Sequence, residues 1–213
     1  NVALRTDSNV WTWGGNTYGQ LGDGTTDKHT SPVKISGLSN VVAVAAGGYH
    51  SAALDSSSNV WAWGRNDFGQ LGNGSNTVDY TVPTPTPVRA LISNVVAIAG
   101  GSLHTLALKN DGTVWGWGRN QWGELGDGTS SGRLSAVQAV GLSNVTAIAS
   151  KGDFSLALKS DGSVWIWGTG GGFPTDPAYT PQQVAISNVV ALSAGSHTLA
   201  LKNDGSLWAW GYN

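Results

Sequence analysis

An all-β chain made of repeated four-stranded propeller blades is what this sequence predicts, and three observations predict it. A Trp-x-Trp-Gly segment recurs five times along the 213 residues. Turn-forming residues precede each copy at a fixed offset. The composition combines 31 Gly and 11 Trp with only 11% charged residues, against about 25% in an average globular domain. Disorder requires high charge and few aromatics, and long helices require Ala, Glu, Lys and Leu where this chain has Gly, Ser, Thr, Asn, Val and Trp.

The repeat is read from its strongest element outward. Val10-Trp11-Thr12-Trp13-Gly14 returns at Trp61 and Trp63, at Trp115 and Trp117, at Trp165 and Trp167, and at Trp208 and Trp210, with steps of 50, 54, 50 and 43 residues. Residues at i and i+2 of a strand share one face, so each pair is expected to stack against the neighbouring blade. Upstream lies a hairpin: Leu54 to Asn59, Leu108 to Thr113, Leu158 to Ser163 and Leu201 to Ser206. Its Asp-Gly dipeptide predicts a type I′ turn, replaced in two copies by Asp7-Ser8-Asn9 and Ser57-Ser58-Asn59.

A small apolar run precedes the hairpin (Val41 to Ala46, Val95 to Gly100, Val145 to Ser150, Val189 to Ala194) and fits an inner strand packed closely on both faces. After each Trp pair comes a Gly-rich loop, then a strand carrying Pro32, Pro87 or Pro181. Proline is tolerated at a strand start or sheet edge, which places that strand on the outside. The single array over 1–213 divides into units at about 1–40, 41–94, 95–144, 145–188 and 189–213, the first and last partial. A β-solenoid is the rival architecture; the four-stranded hairpin order of each unit favours a blade.

The composite motif Gly64-Arg65-Asn66-Asp67-Phe68-Gly69-Gln70-Leu71-Gly72-Asn73-Gly74, together with Gly47-Gly48-Tyr49-His50, resembles the regulator of chromosome condensation repeat family. Kelch repeats share the period but do not follow Trp-x-Trp-Gly with this loop. The resemblance implies a seven-bladed propeller acting through its loop faces. It also implies that nucleotide exchange, where members have it, needs a β-wedge in one blade. The longest insertion, Asn76 to Pro85, reads as a Pro-rich loop and not as a wedge, so exchange activity is not expected. The fourth copy departs from the motif at Thr169-Gly170-Gly171-Gly172-Phe173-Pro174, and Phe154 stands in its His position. Both ends fall inside a unit and present the same hairpin, so the expectation is an incomplete propeller or one completed by another chain.

Function classes narrow from here. A formal net charge of −2 with scattered Lys and Arg offers no phosphate-binding stripe, so nucleic acid is not an expected partner. No apolar run reaches membrane-spanning length, so no membrane insertion is expected. Cysteine is absent, which removes disulfides and thiolate chemistry. The lack of Cys and Met favours an extracellular or cell-surface location.

His50, His104 and His197 share one repeat position but lie in different blades without acidic companions at ligand spacing, so they read as structural and no metal or cofactor is expected. His29 is alone in a loop. Asp23-Gly24-Thr25, Asn73-Gly74-Ser75 and Asp127-Gly128-Thr129 read as turns and not as calcium ligands. No Gly-x-Ser-x-Gly elbow or paired carboxylate marks a catalytic centre, so the chain is not expected to be an enzyme.

What remains is a scaffold for a protein partner. Its contact surface is expected on loops 15–36, 65–87, 119–138 and 169–183, with Tyr18, Arg65, Phe68, Arg119 and Trp122 as binding residues because aromatics and Arg dominate interface hot spots. A structural surface or filament module assembling through terminal strands is the alternative, and lectin-like carbohydrate binding a further one.

Overall fold

A computed structural model describes residues 1–77, 82–172 and 176–211. Parts of two sequence expectations, residues 78–81 of the Pro-rich insertion and residues 173–175 of the divergent loop, lie outside the described residues. The rest folds as five antiparallel sheets in chain order. The first holds β1 (Val2–Leu4), β2 (Val10–Gly14) and β3 (His29–Lys34). The second holds β4 (Val41–Ala46), β5 (His50–Asp55), β6 (Val60–Gly64) and β7 (Thr84–Arg89). The third comprises β8 (Val95–Gly100), β9 (His104–Lys109), β10 (Val114–Gly118) and β11 (Arg133–Gln138). The fourth comprises β12 (Val145–Lys151), β13 (Phe154–Lys159), β14 (Val164–Gly168) and β15 (Ala178–Gln183). The last has β16 (Val189–Ala194), β17 (His197–Lys202) and β18 (Leu207–Gly211). No helix among the described residues is long and apolar enough to cross a membrane.

Every sheet is a meander in which sequence neighbours pair, the arrangement that short hairpin connections permit. The Pro-bearing strands β3, β7 and β15 sit at an edge, where a missing N–H breaks no ladder. At the other edge, β4, β8, β12 and β16 lie against one another from sheet to sheet and form the inner rim. These strands are only partly buried, not packed closely on both faces. Their register slips at the second residue, a β-bulge that leaves Val42, Val96 and Val190 exposed.

The hairpin turns also differ from expectation. Lys109 and Thr113 are joined by Lys109 N–H to Thr113 O, and Gly112 N–H donates to Lys109 O. Only Gly112 of that loop has positive φ, at 77°. This is a three-residue loop with glycine at its left-handed bulge, not a two-residue type I′ turn. Asp111 serves by its side chain, accepting from Thr113 N and Oγ1. Ser8 and Ser58 fill the glycine position at φ 61° and 63°.

The core lies between sheets. Trp63 packs with Val10 and Ile35 of the preceding sheet, Trp117 with Leu54 and Val60, and Trp167 with Leu108 and Val114. These second Trp residues are fully buried, while the first of each pair is half-buried, Trp115 and Trp165 beneath a lysine, with Lys109 Nζ 4.3 Å from the Trp115 ring centre. Trp208 in the last sheet is 53% exposed.

A left-handed serine is strained where glycine is not. Ser58→Gly is expected to stabilise the fold by up to about 1 kcal/mol, read as a higher urea midpoint at unchanged slope. An unchanged or lower midpoint would contradict the strain assignment.

Candidate functional site

The Gly-rich loops after β2, β6 and β10 are built by one device. Asn66 Oδ1 accepts from Leu71 N at 3.1 Å while its Nδ2 donates to Ser75 O at 3.0 Å, tying the two arms of the loop together. Asn16 and Asn120 do the same to Leu21 and Thr25 and to Leu125 and Thr129. Gln20, Gln70 and Glu124 turn back so that a side-chain oxygen accepts from the N–H of Tyr18, Phe68 and Trp122. That leaves an aromatic ring at each loop tip.

The main-chain carbonyl of the same Gln or Glu reaches the next sheet. Gln20 O accepts from Trp63 Nε1 at 3.0 Å and Ser51 Oγ at 2.9 Å. Gln70 O accepts from Trp117 and Thr105, and Glu124 O from Trp167 and Ser155. The chain can come this close only as glycine: a Cβ on Gly72 would lie 2.6 Å from Trp117 Nε1. Farther out, the N–H of Gly24, Gly74 and Gly128 donates to Pro85, Leu134 and Tyr179 in the next outer strand. Most of each loop therefore joins blades, and what faces solvent is its tip.

His50 and His104 belong to these joints. His50 Nε2 lies 2.8 Å from Thr105 Oγ1, whose hydrogen is committed to Gln70 O. His50 Nε2 must then donate, and Nδ1 is the bare nitrogen. His104 Nε2 stands 3.0 Å from both Ser155 Oγ and Ser150 Oγ, each of which donates to a carbonyl. Burial pushes the two imidazoles down to about 4 and about 3, respectively. His197, in the last of the five sheets, is exposed. His29, read as alone in the sequence, meets Asp23 Oδ2 at 2.7 Å, and Arg133 meets Asp127 in the equivalent place at 2.6 Å. Burial acts to raise the Asp127 pKa, but the bonds from Arg133 and Thr129 hold it below the usual carboxylate value. Among the described residues no group of three His, Cys, Asp or Glu is arranged to hold a metal.

Three of the five binding residues expected from sequence come together. The Arg65 guanidinium lies 5.2 Å from the Tyr18 ring centre and 5.9 Å from that of Phe68. It also lies 5.5 Å from Tyr49, a residue the sequence reading quoted only as part of the motif. Tyr49 and Tyr18 meet edge to face at 5.2 Å. Asp67 fixes the guanidinium through Nε and Nη2 at 2.8 and 2.6 Å, so the cluster presents rings and not net charge. Phe68 and Tyr49 remain 38% and 43% exposed. The signal for Tyr49 was its being an aromatic where Leu103 and Asp153 occupy the same repeat position.

Arg119 and Trp122 stand one loop further along. Arg119 bonds Glu124 Oε1 at 2.8 Å and pairs with Asp153 of the next sheet, while Trp122 is 38% exposed. Asp67, Glu124 and Asp153, which neutralise the two arginines, were not singled out from the sequence, because only the folded loops bring them within reach.

The two histidines make a pH dependence calculable. Each is neutral when folded and takes up a proton near pH 6.5 when unfolded. The unfolded chain therefore binds more protons below that value, and stability that is complete above pH 6.5 is lost as pH falls towards 4 and 3. Denaturant titrations should show a slope of up to about 1.4 kcal/mol per pH unit per histidine in that window. Replacing both with Asn should flatten it; a parent stability constant between pH 7 and 4.5 would refute the buried neutral assignment.

Comparison with known proteins agrees with this geometry. The model of the RCC1-like domain matches residues 1–195, and that of the regulator of chromosome condensation (RCC1) repeat matches residues 189–213. The human E3 ubiquitin-protein ligase HERC2 is 37% identical over 133 residues, 61% of this chain and 3% of that protein. The Arabidopsis thaliana ultraviolet-B receptor UVR8 is 33% identical over 137 residues, 63% of this chain and 31% of the receptor. Among solved structures, human WBSCR16 superposes with a TM-score of 0.85 at 25% identity, covering 99% of this chain and 58% of that one. Yeast RCC1 (Prp20), solved with Kap60 bound, gives 0.84 at 26% identity over 96% of this chain and 52% of Prp20. The chain thus spans a small part of those curated relatives and little more than half of those solved chains. Five antiparallel sheets, the first four joined by Trp-to-carbonyl bonds, and a family model matching most of the length place this chain in the regulator of chromosome condensation (RCC1) repeat family.

Proposed function

We propose that the chain is a protein-binding scaffold, not an enzyme, and that its partner is held at the loop tips by the Tyr18, Tyr49, Phe68 and Arg65 cluster with Trp122 beside it in the series. The observation that carries this is a cluster of three preorganised rings, Tyr49 and Phe68 exposed and Tyr18 half-buried, around an arginine whose charge is already balanced by Asp67. Rigid aromatics bury much area at small entropic cost, and desolvating a neutralised guanidinium is less costly than desolvating a free one. Arg119, likewise paired, extends the same chemistry. That a relative, Prp20, was solved with a protein bound supports the class of partner and leaves its identity open. An extracellular or cell-surface location, supported by the absence of Cys and Met, belongs to the same reading.

Proteins captured on the immobilised chain and re-measured singly provide the test. Phe68→Ala, Arg65→Ala and Trp122→Ala should each weaken binding at least about tenfold while circular dichroism stays unchanged. Equal affinity across the three variants would exclude this surface.

A second reading, self-assembly or completion by further blades, is favoured by the last sheet. There Leu201, Leu207 and Trp208 are 38%, 66% and 53% exposed. Their counterparts Leu158 and Val164 are buried against the next sheet. Sedimentation velocity should then show concentration-dependent growth above the 21.9 kDa monomer. Leu207→Lys should abolish that growth, and a monomer at all concentrations excludes self-assembly.

A further inference from the structure

Between the second and third sheets lies an open cavity of about 480 Å3, lined in part by Arg89, Leu91, Ser93, Lys109, Trp115 and Ala136. Lys109 closes β9 and Trp115 stands near the start of β10, so the cavity borders a hairpin turn, whereas Tyr49 and Arg65 flank the opposite strand ends. Its two cations are uncompensated. Arg5, Arg65, Arg119 and Arg133 each meet a carboxylate, while among the described residues Arg89 and Lys109 make no ion pair. Arg89 Nη2 donates to the neutral amide oxygen of Asn59 at 2.5 Å, and Lys109 Nζ rests on the Trp115 ring. Asp111, in the turn beside Lys109, accepts from Thr113 instead.

The repeats supply internal controls. Strand register pairs Trp11 with Lys34, Trp61 with Arg89, Trp115 with Gln138 and Trp165 with Gln183, which fixes the equivalent positions. At the first joint the set is Lys34, Asp55, Trp61 and Pro87, and Asp55 accepts the Trp61 indole N–H. At the third it is Gln138, Lys159, Trp165 and Pro181. Of these three joints only the second combines two cations with a small residue, Ala136, where the other outer strands carry Pro32, Pro87 and Pro181. A packing role shared by all blades does not require that combination. Leu91 at the rim is 62% exposed.

We propose that this cavity is a docking site for an acidic segment of a partner protein, whose Asp or Glu carboxylate enters between Arg89 and Lys109 while a neighbouring apolar side chain covers Leu91. Arg89 offers the guanidinium donors that Asn59 does not take, in the planar fork that suits a carboxylate. Stacking on the indole restrains Lys109, so less side-chain entropy is lost when it meets an anion. Because an ammonium already lies on the ring, the cavity offers a positioned cation more than a bare stacking face, which favours a carboxylate over a neutral sugar. The inference rests on the protein-binding reading and adds a charged contact to the charge-balanced one at the loop tips.

The probe is the blocked peptide acetyl-Ser-Leu-Glu-Leu-Ser-amide, with its Gln counterpart as control, titrated into the full chain with 15N-labelled indoles. The Glu peptide should bind saturably, shift the Trp115 Nε1–H signal and lose affinity as salt is raised, and the Gln peptide should bind at least about tenfold more weakly. Arg89→Gln and Ala136→Pro should each weaken the Glu peptide about tenfold, the first by removing charge and the second by filling the space. Both install a residue that this chain already carries at equivalent positions, so loss of binding in them is not loss of fold. Equal binding of the two peptides, undiminished affinity in Arg89→Gln, or a Trp115 shift with glucuronate but not with the Glu peptide overturns the proposal. The loop-tip variants decide the protein-binding reading separately: a failed peptide titration beside partner capture that needs Phe68 leaves that reading standing and removes this site alone.

Discussion

The architecture depends on one main-chain carbonyl per blade, that of Gln20, Gln70 or Glu124, received by the tryptophan and the hydroxyl of the following sheet. Two forces act there and they differ in size. A fully buried indole removes roughly 200 Å2 from water, about 5 kcal/mol as an upper bound by area. The hydrogen bond adds only about 1 kcal/mol net. Burial therefore drives sheet onto sheet, and the carbonyl sets how they align, because an unmet indole N–H in that dry site costs more than the bond contributes when made. The glycines, the Asn staple and the turned-back Gln all hold that oxygen in place.

This division of labour explains why the loops are less free than their length suggests. Asn16, Asn66 and Asn120 are buried, and so are the leucines they hold. Only the tips, with Tyr18, Phe68 and Trp122, and the neighbouring Tyr49 can vary without opening a joint. The arginines of this face are neutralised within the chain, Arg65 by Asp67 and Arg119 by Glu124 and Asp153, so they order the surface more than they charge it.

The fourth unit shows the same rule by its exception. With Phe154 for histidine and a short loop for the Asn-stapled one, two buried donors, Thr198 Oγ1 and Trp210 Nε1, have no partner among the described residues, where an unmet donor costs about 1–3 kcal/mol. The three other joints carry no such penalty at these positions. Their regularity makes the defect specific to one place, between β12–β15 and β16–β18.

The sequence by itself determined the all-β class, the blade repeat and the outer position of the Pro-bearing strands. Hydrophobic period, turn residues and glycine offsets are local quantities, and local quantities survive in a single chain read end to end. The hairpin type escaped it, since Asp-Gly suits more than one turn and only the bond from Lys109 to Thr113 chooses. His29 escaped it as well, because its carboxylate is brought near by a loop and not by spacing. Tertiary structure alone decided that the second tryptophan of each pair enters the joint while the first stays at the rim. It alone made His50 and His104 bridges between sheets and gathered Tyr18, Tyr49, Phe68 and Arg65 at one place. The tryptophan joints, the histidine bridges and the approach of Tyr18 to Arg65 are contacts between different repeats, and a repeat does not state, in its own residues, which neighbour it will face.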